Sequence, residues 1–372
     1  MRFRERKDIS AKLVHVRFGH GISKFGFPAQ KSYLRLQPGF GRGRDTVPIQ
    51  SVLPNRGSVS SVTSLPNFAH GIDYMSSEND RGVGKFRVTF FNKFGKKGTT
   101  AEGLQDASSV THMYNGAVLV TDMLGSKIVL FSRSGRPEKS FITGEYTEPW
   151  SAVLTPKGHV AVTLRRHKCI AVWSGNGDTM AEFGHEHLRC PTGLAVEKDG
   201  RFIVTDEQAN KVYIFSPSRV LQCVLGEEAG ITFNQPRHVC LSTTGRIIVS
   251  DSGHHCVKIF NKDGIYVNKI GEFGSGDGQF KFPYGVCVDQ EGHIIVSDHY
   301  NNRVSMFHAD GTFMQHLVTA KNGVKRPRGV AVRCAHNRKL FVTHGGLRAT
   351  EVLVFRMTLN VSELLINVKC FV

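Results

Sequence analysis

Residues 282–311 read FPYGVCVDQEGHIIVSDHYNNRVSMFHADG, and residues 235–264, QPRHVCLSTTGRIIVSDSGHHCVKIFNKDG, match them nearly position for position. Each stretch holds an apolar run (GVCV), a Gly turn (DQEG), a second apolar run (HIIVS), a polar turn, a third run (RVSMF) and another Gly turn. That pattern predicts three strands with a fourth following. The second run is apolar at consecutive positions rather than at alternate ones, which is how a strand covered on both faces reads.

Working outward, the Ser or Thr that ends the second run recurs at Thr121, Thr163, Thr205, Ser250, Ser297 and Thr343, spaced by 42, 42, 45, 47 and 46 residues. Ten residues later stands an aromatic in five units, Phe131, Trp173, Phe215, Phe260 and Phe307, and twelve later in the sixth, Phe355. The middle of the first strand is small (Ala195, Cys240, Cys287, Ala331), as required where inner strands crowd a central channel. Six such units whose sheets cover one another make an all-β chain, a six-bladed β-propeller of four-stranded blades. Upstream, residues 85–94 (KFRVTFFNKF) read as an unpartnered strand that should complete the last blade and remove an open edge. The tail 357–372 matches no repeat and competes for that place. Asp122, Asp206, Asp251 and Asp298 read as turn caps rather than catalytic acids.

The 372 residues carry a net charge of +17, but unevenly: residues 1–100 hold 18 Lys and Arg against 6 Asp and Glu, and the remainder 30 against 25. The organisation expected is therefore a flexible basic arm (1–84), the propeller (85–356) and the tail (357–372). Neither an apolar window of 18 residues nor a signal-peptide core is found, and the eight cysteines form no CxxC pair. A cytoplasmic, monomeric propeller without membrane contact, cofactor or metal is the reading; His254, His255 and Cys256 fall at ordinary loop and strand positions.

PTGLAV with IVTDEQANKVYIF, and PYGVCV with IIVSDHYNNRVSMF, strongly resemble the NHL repeat, which reads P-x-G-[VI]-[AC]-V, I-[IV]-V-[ST]-D, N-[RK]-V and an aromatic. The resemblance covers 85–356 and departs from the pattern at Leu164, which replaces the Asp, and at Thr343-His344. It looks most like the propeller of tripartite-motif NHL proteins, and so implies RNA binding, mRNA regulation and a link to ubiquitination. RING, B-box and coiled coil are absent from the sequence, so a part in ubiquitination would be recruitment of targets to the ligase machinery.

The loops between second and third strands, with the connections into each first strand, should share one face. There the residues after each opening Pro, Trp150, Thr192, Arg237, Tyr284 and Arg328, should ring the channel mouth. The loop KNGVKRPR (321–328) supplies Lys321, Lys325 and Arg326, with Arg303 and Tyr300 beside it, and Arg165, Arg166 and Lys168 replace the usual Asp turn of unit two. Cations with exposed rings are the chemistry of single-stranded RNA recognition, charge meeting phosphate and rings stacking on bases. The expectation is a non-catalytic platform for single-stranded RNA, with a protein-recruiting substrate receptor as the alternative. A lyase with channel histidines is set aside because only His238 lies near an inner strand.

Overall fold

The computed structural model describes residues 86–360 other than 101, 114, 335 and 336. These residues form six four-stranded antiparallel sheets. The blades span 107–142, 149–183, 191–224, 236–270 and 283–318, and the sixth joins 330–359 to 86–94. The expected closure is present: Phe86–Phe94 is the outer strand of the last blade, paired with Glu351–Leu359 from Phe86 opposite Leu359 to Phe94 opposite Val352. Residues 357–359 extend that third strand instead of competing for the outer place. The arm 1–84 and residues 361–372 lie outside the described residues.

Hydrophobic packing is distributed over the seams between blades. One seam, for example, joins Ile248, Val257 and Ile259 of blade 4 to Val286, Ile294 and Val296 of blade 5. The repeated aromatics fill these seams: Phe131, Phe215, Phe260, Phe307 and Phe355 are all at most 1% exposed.

The recurring Ser or Thr has a bonding reason. The Thr121 hydroxyl accepts the Ser109 N–H of its own blade at 3.0 Å and donates to the Trp150 carbonyl of the next at 2.7 Å. Thr163 repeats this between Ser151 and Thr192, and Ser250 between His238 and Tyr284. One hydroxyl thus satisfies an amide freed by the bulge in the inner pairing and ties two blades.

The Asp that follows is a loop clamp, as the turn reading requires. Asp206 accepts the Arg189, Cys190 and Ala209 N–H groups, and Asp122 those of Gln105, Asp106 and Gly125.

The Gly of P-x-G is dictated by close approach. A Cβ on Gly285 would sit 2.3 Å from the Arg328 carbonyl oxygen, and one on Gly193 2.5 Å from His238 Cα, so neighbouring inner strands meet backbone to backbone. Gly285→Ala is therefore expected to destabilise the fold by about 3 kcal/mol, since backbone must move to admit the methyl. Gly346→Ala, with no atom within 4 Å of the added carbon, should change little in the same denaturant titration. Equal midpoints for the two variants would show that the seam has room for a side chain.

Candidate binding face at the channel mouth

Four of the residues that follow an opening Pro, Trp150, Arg237, Tyr284 and Arg328, do converge at the channel mouth, leaving about 10 Å³ between them. Thr192 does not join them; it is fully buried, its hydroxyl 2.9 Å from that of Thr205. Below the mouth, the inner strands surround a channel of about 430 Å³ lined mostly by Val, Leu, Ala and Cys side chains, with Thr111, Ser151, His112 and His238.

The guanidiniums at the mouth stack on rings. Arg165 lies 4.7 Å above the Trp150 ring, and Arg237 lies 5.6 Å from the same ring and 4.5 Å from Tyr284. Tyr284 stacks on His299 at 4.0 Å with 6° between planes. From there the ring contacts run outward: His299 to Tyr300 at 4.9 Å, Tyr300 to Phe282 at 5.3 Å, Phe282 to His255 at 4.4 Å and His255 to Phe273 at 4.9 Å. Tyr300 and Phe273 expose about half or more of their surface, 49% and 62%. Arg326 sits 5.5 Å over Tyr300 and Lys281 5.7 Å over Phe273. The result is a continuous ladder of rings and cations from the mouth to the rim.

The charge at the mouth is not the free positive charge that the sequence suggested. Glu207 takes both nitrogens of the Arg237 fork at 2.7 and 2.9 Å and also meets Arg165 at 3.0 Å. Glu148 binds Arg166 at 2.7 Å and approaches Arg165 at 3.7 Å. Arg328 meets Asp106 at 2.8 Å. Such bidentate and shared pairs set geometry and leave little net charge. The repeat itself held the signal: Arg165 and Glu207 both follow the aligned loop position, in adjacent blades, so they face each other around the mouth.

Two further expected contacts need correction. Arg303 is 8% exposed and spends its guanidinium inside the blade on Asp298 and on the Ser275, Gly276 and Gln279 carbonyls. Its strand position aims it under the incoming loop, as Lys127 is aimed at Thr100. Trp150 is 6% exposed and underlies the arginines rather than facing a partner. Lys168, Lys321, Lys325 and Arg326 are exposed, and among the described residues none makes an ion pair with a carboxylate. Lys321 sits in a capped turn, Ala320–Asn322, where the Thr319 hydroxyl accepts its N–H.

The histidines around the channel are held neutral. Burial pushes His299 down to about 3, with Arg328, Arg237 and Arg326 adding repulsion. His238 falls to about 4 through burial, and His112 to about 4 through burial and Arg333.

His254, His255 and Cys256 do not converge as ligands; His254 Nδ1 lies 2.8 Å from Asp251 and the His255 Nδ1 accepts the Phe282 N–H. Two other trios bring ligand atoms within 4.8 Å, Cys169 with Glu182 and His185, and Asp289 with Glu291 and His293. The second is already engaged by Arg338, 3.6 Å from Asp289. Among the described residues no helix is long and apolar enough to cross a membrane.

Comparison with known proteins agrees with this architecture. Residues 230–320 match a family described as a 6-bladed beta-propeller. Human NHL-repeat-containing protein 4 is 30% identical over 71 residues, 19% of this chain and 54% of that protein, which supports the NHL reading of the repeats. The chain thus spans about half the length of the curated relative it matches. Among solved structures, a streptogramin B lyase superposes with a TM-score of 0.53 at 12% identity, over 74% of this chain and 98% of its own. A gluconolactonase from Xanthomonas campestris does so with 0.55 at 16%, over 69% and 86%. At such identities the likeness is one of fold. It nonetheless corrects the expectation of a non-catalytic protein: enzymes are built on the same six blades, and the channel holds His112 as well as His238, where the sequence placed only His238 near an inner strand.

Proposed function

We propose that the propeller is a binding scaffold whose loop face holds single-stranded RNA. The observation that supports this is the ladder from Arg237 to Phe273, with exposed rings at Tyr300 and Phe273 and exposed, acid-free cations at Lys321, Lys325 and Arg326. A ring offers its face to any base, and a flanking cation meets the phosphate that follows. The paired arginines at the mouth hold Tyr284 and His299 in register, and the strand lies on the rim sector of blades 4 to 6. Its affinity should fall steeply with salt because phosphates release counterions when neutralised.

The test is titration of short single-stranded RNA at several salt concentrations. Tyr300→Ala is expected to weaken binding by about 1–3 kcal/mol, the usual contribution of one stacked base. Lys325→Glu with Arg326→Glu should flatten the salt dependence by about 1.4 in log–log slope, roughly 0.7 for each phosphate that is no longer neutralised. Failure to bind RNA at low salt would remove the reading. Tight binding untouched by these changes would move the site elsewhere.

The matched acids at the mouth favour a second reading, a protein partner recruited in the manner the tripartite-motif NHL resemblance implies. Neutralised guanidiniums beside stacked rings suit a peptide better than a polyanion. Capture of a defined protein that survives nuclease and is lost in Tyr284→Ala would support it over RNA.

A further inference from the structure

On the opposite face, three cations stand directly opposite one another across three strands of blade 6. Arg333 pairs in register with Lys339, and Lys339 with Arg356. All three lie on the side of the sheet that carries Ala331, Phe341 and Val354 against blade 1. Blade 1 adds a fourth: a carbon placed on Gly116 would lie 3.4 Å from Arg133 Cδ and 3.5 Å from Arg333 Nη1, so both side chains cross that glycine together. Like charges directly opposite in a sheet destabilise it.

The two central cations are not left to solvent, whereas Arg356 and Arg133 are exposed. Arg333 is 6% and Lys339 8% exposed, and Arg333 Nε is buried without a hydrogen-bond partner. The Phe91 ring covers Lys339 at 3.6 Å and approaches Arg356 at 5.1 Å. Among the described residues none of the four cations makes an ion pair. The nearby acids Asp289 and Glu291 are engaged by Arg338, which points to the other side of the strand. Burial, then the neighbouring cations, depresses Lys339 from its usual range; burial and Arg133 do the same to Arg333.

The repeat shows what is unusual. The position of Arg333 is Glu197 in blade 3 and Asp289 in blade 5, where each meets the basic residue that corresponds to Lys339: Glu197 meets Arg201 at 2.6 Å and Asp289 meets His293 at 2.9 Å. Blades 1, 2 and 4 carry the uncharged Met113, Thr155 and Ser242 at this place, so blade 6 is alone among the six in setting a cation there. The negative charge that blades 3 and 5 place opposite the basic residue is missing from blade 6.

We propose that Arg133, Arg333, Lys339 and Arg356 form a binding site for a compact phosphate dianion, a free phosphate or the phosphomonoester of a small molecule. Arginine forks and an ammonium set side by side match the oxygens of a phosphoryl group. The burial of the two central cations suits a terminal phosphate that can enter end-on, and not the internal diesters of a nucleic-acid chain.

The decisive variant is Arg333→Glu, which sets an acid opposite Lys339 as blade 3 sets Glu197 opposite Arg201, and so should fold at least as well. In wild type, the melting temperature is expected to rise with inorganic phosphate relative to chloride at equal ionic strength. In R333E it should be higher without phosphate and indifferent to it, with phosphate affinity by calorimetry reduced at least about tenfold, as expected when one charge-assisted contact becomes a repulsion. Glycerol phosphate stabilising more than phosphate would place a phosphomonoester in the site; the reverse would place the free ion there. A 5′-phosphorylated RNA that binds wild type with a strong preference over phosphate and glycerol phosphate, and loses it in R333E, would overturn the small-molecule assignment. Wild type melting identically in phosphate and chloride would overturn the site itself.

Discussion

A chain beginning at Gly95 is expected to lose the single cooperative unfolding transition, while one beginning at Lys85 keeps it. The strand Phe86–Phe94 holds two seams at once. Phe94 packs on Phe131 of blade 1 at 4.8 Å, and Phe86 exchanges hydrogen bonds with the Gln315 side chain of blade 5 at 2.7 and 2.9 Å. Both phenylalanines are buried, at 7% and 5% exposure. Re-exposing them costs about 2–3 kcal/mol each, before counting the ladder along Glu351–Leu359 that would become an open edge. The total, on the order of 5 kcal/mol or more, is comparable with the whole stability of many domains. Thermal unfolding and light scattering of the two truncations measure it. Equal transitions in both would show that the ring does not depend on its closing strand.

Acidification from pH 7 to pH 5 is expected to remove roughly 4 kcal/mol of stability through three histidines alone. His112 and His238 sit at about 4 and His299 at about 3, each lowered chiefly by burial. In the unfolded chain a histidine titrates near 6.5, so below that pH the unfolded state binds protons that the folded state refuses, and stability falls as pH falls. His299 contributes about 2 kcal/mol over this interval, at about 1.4 kcal/mol per pH unit once fully engaged. His112 and His238 are only part-buried, and solvent screening reduces the share of each to about 1 kcal/mol. Replacing His238 by Ser, the residue that blades 1 and 2 carry at this place as Ser109 and Ser151, should remove its share and flatten the curve. Denaturant titrations across the interval from neutral pH to pH 5 are the measurement; a curve flat throughout would mean that these imidazoles are solvated.

Much of the candidate face was legible because a propeller repeats its geometry. The residue after each opening Pro could be assigned to the mouth, and Trp150, Arg237, Tyr284 and Arg328 meet there. Their charge state was not legible from the same positions, since it depends on Glu207, Glu148 and Asp106, which come from other loops. Arg303 shows the opposite failure: its position in the chain suggested an exposed cation, yet its strand directs it under the loop it binds.

By itself the sequence determined the number of blades and the places where Ser or Thr, Asp and Gly recur, while it left the closing strand between residues 85–94 and the tail. Each of those is a local requirement repeated every 42 to 47 residues, and repetition makes a weak local signal additive. Tertiary structure alone decided which charges are neutralised, which rings stack into one ladder and which cations are left facing one another at the seam of blades 6 and 1. Those outcomes are set between neighbouring blades, where partners such as Arg165 and Glu207 lie 42 residues apart in the chain. Coulomb energy and burial there depend on distances that no repeat pattern specifies.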